Sequence, residues 1–241
     1  MQPHKEKFKI ITSQTDANNR LTPEALASFF QEAALYNVKK MGVSHNSLFE
    51  QDLGWILLRL RIEWEQVPGQ GETIEIRTWP SGNDRLYFYR DYRIYNEAGE
   101  FLARATSTWV LVNISTRKIL PIPEFLSKLS FEFEPPMERI SKKLPLYKEQ
   151  ASSFALQVGW QDLDLFKHTN NPVYLRWIME ALPAEVLEKQ PIQAIDISYR
   201  AESKMGEKLE VSSGKLEDGS FAVKIVRPAD GKELLRANVK I

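Results

Sequence analysis

Two short stretches of this 241-residue chain recur in the same order. Gly71-Glu-Thr-Ile-Glu-Ile76 is matched by Gly206-Glu-Lys-Leu-Glu-Val211, and Gly99-Glu-Phe-Leu-Ala-Arg-Ala105 by Gly231-Lys-Glu-Leu-Leu-Arg-Ala237. The paired stretches start 28 residues apart in the first copy and 25 in the second. A glycine turn leading into a strand, repeated in order and at near-equal spacing, predicts one structural unit built twice. The length allows it: at ~150 residues per domain the chain has room for between one and two domains.

The rest of the pattern agrees. Residues 8–12 alternate weakly as a short strand. Thr22 is a good N-cap and Pro23 a good first helical residue. Leu26, Phe29, Phe30, Ala33, Ala34, Asn37, Val38 and Met41 follow at helical spacing, and Gly42 closes the helix. Strands are expected at 55–64, 73–79, 85–95 and 101–113. Residues 120–150 carry Pro121, Pro123, Pro135, Pro136 and Pro145 and read as a connection over the surface, with a short helix at 124–129. The order then repeats: a strand at 152–160, a helix capped by Asn170 or Asn171 with Pro172 in its first turn, and strands at 192–201, 208–213, 221–227 and 234–241. The expected fold is α+β. Residues 1–130 and 151–241 each form an antiparallel sheet wrapped against one long helix, with 131–150 as linker. Two such sheets can meet edge to edge, which buries edges that would otherwise be exposed.

Composition narrows the function. Lys plus Arg and Asp plus Glu both number 32, so the basic excess of a general nucleic-acid binder is missing. Without cysteine there is no disulfide, thiolate metal site or Cys nucleophile. The three histidines, His4, His45 and His168, are too far apart in sequence to suggest a multi-His metal cage, and no metal or cofactor is expected. No stretch approaches the ~18 apolar residues of a membrane span. The first residues lack an apolar signal segment, and a cytoplasmic location is the expectation.

The densest polar cluster outside the Pro-rich segment is Trp160-Gln-Asp162-Leu-Asp164-Leu-Phe166-Lys-His168-Thr-Asn170-Asn171-Pro172. It lies between a strand and a helix start. A helix N-terminus presents unpaired N–H groups and the positive end of a dipole, and can hold a developing oxyanion. Asp or His beside it can position or deprotonate a water. The same residues can equally cap a helix and order a turn.

The run from Asp162 to Trp177, with Glu180-Ala-Leu-Pro183 after it, resembles the signature of acyl-acyl carrier protein thioesterases. So do Gln31 to Val38, Trp79, Arg90-Asp91, Arg104 to Trp109 with Arg117, and Ser198-Tyr-Arg-Ala-Glu202. The resemblance implies two tandem hotdog domains and hydrolysis of a fatty acyl-acyl carrier protein to a free fatty acid. It implies no cofactor, and the chain is expected to be a monomer or homodimer. The family's Asp-x-Asn-x-His element falls on Asp164, Phe166 and His168, so Phe166 replaces the amide. The late acidic residue falls on Glu202, and Ser203 stands where many plant members have Cys. Asp164, His168 and Glu202 are the catalytic candidates, with either carboxylate able to activate water. The helix start at Asn170 and Asn171 is the oxyanion candidate, and Phe29, Phe30, Ala33, Trp55 and Ile56 are acyl-chain candidates. Lys39, Lys40, Arg85, Lys142, Lys143 and Lys204 are candidate contacts for an acidic carrier protein. An acyl-CoA thioesterase on the same fold, or a non-catalytic lipid-binding hotdog protein, are the alternatives.

Overall fold

A computed structural model describes residues 2–42, 48–127, 133–139 and 143–241. His45, Lys142 and the end of the expected 124–129 helix lie outside the described residues. The first half runs β1 (His4–Lys9), α1 (Pro23–Lys40), β2 (Leu53–Trp64), β3 (Thr73–Asn83), β4 (Tyr87–Asn96) and β5 (Phe101–Asn113). A short β6 (Ile119–Leu120) and α2 (Glu124–Ser127) follow. The second half runs β7 (Ser152–Gln157), α3 (Asn171–Glu180), α4 (Ala184–Lys189), β8 (Ala194–Tyr199), β9 (Lys208–Lys215), β10 (Phe221–Arg227) and β11 (Lys232–Lys240).

The strands form one antiparallel sheet in the order β1-β3-β4-β5-β2-β8-β11-β10-β9-β7, with β6 paired to β5. Read outward from the centre, each half has the same sequence of strands. They join where β2 pairs with β8, from Arg59↔Ser198 to Glu63↔Ala194. The edge that each half would expose alone is satisfied by the other. The four repeated glycines explain the sequence matches: Gly71, Gly99, Gly206 and Gly231 all have φ between 68° and 87°. That left-handed conformation is open to Gly at little cost. The duplicated α+β double hotdog expected from the sequence is the fold observed.

Helix α1 begins as its sequence dictates. The Thr22 hydroxyl accepts a hydrogen bond from the Ala25 N–H at 3.2 Å, and Pro23 occupies the first turn. Its buried face, with Leu26, Phe29, Phe30 and Ala33, lies on the sheet in the main core. Among the described residues no helix is long and apolar enough to cross a membrane.

Three expectations need correction. The first strand is His4–Lys9 rather than 8–12, because His4 to Lys9 are in register with Thr78 to Thr73 of β3, while residues 12–14 turn into a 3₁₀ helix. The second-half helix, expected to run through Tyr174, Ile178 and Leu182, stops at Glu180, and α4 follows it; Pro183 interrupts the helical ladder between them. The Pro-rich segment is not a surface connection throughout. Met137 and Leu144 are buried. The Met137 N–H donates to Asp91 Oδ2 at 2.9 Å, and Arg236 donates to the Leu144 carbonyl at 3.1 Å. The segment is therefore strapped across both halves. Gly214 admits it, since a Cβ there would overlap Tyr147 and the Glu149 carbonyl.

Candidate active site

The loop before α3 is held by its own acids. Asp162 Oδ2 accepts from the Gly159 N–H at 2.8 Å, while its Oδ1 takes the Arg176 guanidinium at 2.6 Å. Asp164 Oδ1 accepts from the N–H groups of Phe166 and His168, at 2.8 and 3.1 Å. The Asp164 N–H returns a bond to the His168 carbonyl at 2.8 Å. Lys167 pays the conformational cost of the turn, with φ of 62°. These bonds present the His168 imidazole towards the segment that follows β8.

Glu202 meets it there. His168 Nε2 is 3.3 Å from Glu202 Oε2, and the same oxygen accepts from Arg117 Nη1 at 2.7 Å. Arg117 lies between β5 and β6, so the first half clamps the second half's carboxylate. Both partners are part-exposed, with side chains at 21% for His168 and 35% for Glu202, so water can reach the pair. The structure thus brings His168 and Glu202 into direct contact. Asp164 is tied to His168 through the backbone, and its carboxylate faces its own loop.

Ser203 is fully buried. Its hydroxyl lies 2.7 Å from Thr169 Oγ1 and 2.8 Å from Tyr174 OH, so it fastens the loop to α3 and is screened from any substrate. Burial raises the Tyr174 phenol above its usual range, keeping it neutral there. Asn170 sits at the N-cap, but its side chain makes no capping bond. Its N–H donates to the Asp162 carbonyl at 2.8 Å, Pro172 has no N–H, and the Val173 N–H bonds the Asn170 carbonyl at 3.0 Å. Asn171 therefore supplies the first helical N–H beside the site. Phe166 contributes no polar group; its ring lies 5.7 Å from that of Phe49, in the first half.

Asn171 and Pro172 also line an apolar cleft between the halves. Its other walls are Ala27, Phe30, Gln31, Leu57, Leu60, Tyr92, Ser107, Trp109 and Tyr199. The accessible volume is about 40 Å³. Of the acyl-chain candidates, Phe30 lines this cleft. Phe29 instead stacks on Phe8, with centroids 4.5 Å apart, and Ala33 is fully buried in the core. Trp55 packs on Phe88 in a separate small cluster, and Ile56 is half-buried in β2. Helical periodicity placed Phe29, Phe30 and Ala33 indoors but could not say which wall of the core they occupy. The cleft residues Tyr92, Trp109 and Tyr199 were missed, because nothing in a strand's local pattern marks the face that a second domain will cover. Of the carrier-contact candidates, Lys39, Lys40, Arg85, Lys143 and Lys204 are exposed. Lys204 bridges His168 through the backbone.

Fold and site together define the class of the protein: a tandem hotdog with a His–Glu pair at a helix start. Residues 2–129 match the acyl-ACP thioesterase N-terminal domain and residues 147–240 the corresponding C-terminal domain, and the chain belongs to this family. A chloroplastic acyl-[acyl-carrier-protein] hydrolase of Cuphea viscosissima is 30% identical over 98% of this chain and 62% of its own length. The chloroplastic oleoyl-acyl carrier protein thioesterase 2 of Arabidopsis thaliana is 30% identical over 83% of this chain and 59% of its own. The chain thus spans about three-fifths of the length of these curated relatives. Among solved structures, the 12:0-ACP thioesterase from Umbellularia californica superposes with a TM-score of 0.87 at 25% identity, covering 98% of this chain and 95% of that one. An acyl-ACP thioesterase from Bacteroides thetaiotaomicron shares the fold, with a TM-score of 0.88 at 24% identity over 98% and 96% of the two chains.

Proposed function

We propose that the protein hydrolyses the thioester of a fatty acyl-acyl carrier protein, releasing a free fatty acid and the carrier thiol. The observation that carries this reading is the His168–Glu202 contact, on a chain of the acyl-ACP thioesterase family; the helix that follows His168 starts with Asn171 and Pro172, which line the apolar cleft. A water held by the pair loses a proton to it and attacks the thioester carbonyl. The Asn171 N–H and the dipole of α3 face the oxyanion that forms. As the intermediate collapses, the C–S bond breaks, the carboxyl product leaves, and the proton held by the pair goes to the thiolate. Arg117 holds Glu202 in place by its bond to Oε2.

The cleft is narrow, with an accessible volume of about 40 Å³. An acyl chain enters when the rings of Phe30, Tyr92 or Trp109 swing aside. An acidic carrier docks over the exposed Lys204 and its neighbours, which predicts an apparent KM that rises with salt. A cytoplasmic location, the expectation from the sequence, is carried forward with this reading. Thiol release from matched acyl-carrier and acyl-CoA substrates is the test. Faster, salt-sensitive turnover of the carrier substrate is expected. Equal, salt-independent rates identify an acyl-CoA thioesterase, and no release from either substrate leaves a lipid-binding protein.

A further inference from the structure

A second loop in the molecule has the skeleton of the one that carries His168, and none of its chemistry. Residues 11–22 connect β1 to α1, as 159–170 connect β7 to α3. Each begins with a one-turn 3₁₀ helix, Thr12–Gln14 and Trp160–Asp162. The Gln14 side chain accepts from the Ile11 N–H at 3.0 Å, as Asp162 does from Gly159. Asp16 Oδ1 accepts from the N–H groups of Asn18 and Arg20, both at 2.9 Å, which are the two bonds that Asp164 accepts from Phe166 and His168. The Asp16 N–H bonds the Arg20 carbonyl at 2.9 Å, as Asp164 bonds His168. Asn19 has φ of 58°, beside 62° for Lys167. Isolated bridges close both loops at equivalent positions, Thr15↔Leu21 and Leu163↔Thr169.

The opposing segments correspond as well. The Leu21 N–H donates to the Pro68 carbonyl at 2.8 Å, and Thr169 to Ser203 at 2.9 Å. The N–H of Gly69 donates to Glu72 Oε1, and that of Lys204 to Glu207 Oε2. This register sets Arg20 where the second half has His168, and Val67 where it has Glu202. Between residues 12–23 and 160–171, only Asp16 and Asp164 are identical.

We infer that the first-half loop is a chemically empty copy of the active-site loop, so that what both copies keep is scaffold and what only the second has is chemistry: Asp164 is a positioning residue for His168, and Glu202 is the carboxylate that activates water. The identity of the reaction rests on the proposal above; the assignment of roles rests on the comparison of the loops. Asp16 makes the same bonds as Asp164 with Arg20 at the histidine position and Val67 at the glutamate position. The empty copy has taken another task. Arg20 donates to the carbonyls of Leu187 and Gln190 at 3.0 Å each, at the end of α4, and Asn18 donates to Leu187 at 3.3 Å. It clasps the two halves where its twin holds the site.

Asp164→Asn keeps an oxygen that accepts both N–H bonds but removes the charge, whereas Asp164→Ala removes both. The tests are kcat/KM on the full chain and hydrogen exchange at the Phe166 and His168 amides. Asp164→Asn is expected to keep amide protection and to stay within about tenfold of wild type, the cost of weakening two charge-assisted bonds. Asp164→Ala should lose the protection and about 10²-fold in rate, as expected of a misplaced group. Glu202→Gln should keep the protection and lose about 10²–10⁴-fold in rate, as removal of a general base does. Asp16→Ala should lower Tm without changing kcat/KM. If Asp164→Asn keeps amide protection yet falls as far as Glu202→Gln, the assignment is overturned. If the wild type turns over no acyl thioester, the proposed reaction fails. The amide data then decide the loop assignment alone, and protection surviving in Asp164→Ala overturns it.

Discussion

In the first half a single helix of 18 residues crosses the sheet, whereas the second half makes the same crossing with helices of 10 and 6 residues separated by Pro183. The unbroken helix supplies bulk. Phe29 and Phe30 stack on Phe8 and Tyr92, and Phe30 walls the cleft. The broken one supplies polarity at both of its ends. Its start carries the Thr169–Ser203–Tyr174 network beside His168 and Glu202, and the end of α4 offers carbonyls that Arg20 takes from across the molecule. Terminal helix carbonyls have no partner within their own helix, so a break creates a docking point for a cation. Two copies of one unit thus differ in what they bring: one supplies aromatic bulk, and the other a polar network.

The division is broken most directly at Glu202. On the proposed reaction, Glu202→Gln should lower single-turnover hydrolysis by about 10²–10⁴-fold, with Tm little changed because the residue is part-exposed. A comparable loss of Tm would make it a structural residue and erase the distinction between the halves. In the space-filling half, Phe30→Ala should cost roughly 3–5 kcal/mol in denaturant unfolding. It should also alter the preferred acyl chain length if the cleft takes the chain; a stability loss with unchanged chain preference removes Phe30 from the binding wall.

The seam between the halves has its own signature. Asp196 faces Arg61 across the β2–β8 pairing, with Arg59 and Glu63 close by. Burial dominates over the attraction of the arginines and raises its carboxyl to about 6. Between the unfolded value near 3.9 and about 6, the folded chain binds the extra proton. Stability contributed at low pH is therefore lost as pH rises through that window. Asp196→Asn should raise stability above pH 7 by up to about 3 kcal/mol, with the gain gone near pH 4. Thermal scans across pH check this, and a gain independent of pH would place the cause elsewhere. The smallest contrast lies at the two helix starts. Thr22→Ala should cost about 1 kcal/mol, since its hydroxyl caps α1. Asn170→Ala should cost less than Thr22→Ala, since that side chain makes no cap; equal losses in paired urea titrations would contradict the difference.

Much of this was legible in the chain itself. Thr22-Pro23 starts a helix because a hydroxyl and a fixed φ act within one turn. The four matched glycines announce the duplication because each turn needs a positive φ there. Asp164, His168 and Glu202 were named from sequence because the polar cluster and its resemblance are local. The duplication of the loops was not legible, since only one residue survives in both copies and backbone hydrogen bonds leave little trace in side-chain identity. Nor were the clamp of Arg117 on Glu202, the grip of Arg20 on α4, or the strap over Gly214. The sequence by itself determined most of the elements and their repetition, governed by interactions a few positions long. The tertiary structure alone decided which carboxylate meets the histidine and which aromatic rings face the cleft. Those contacts join residues tens of positions apart, and their partners are chosen by how the two halves pack rather than by anything either segment encodes alone.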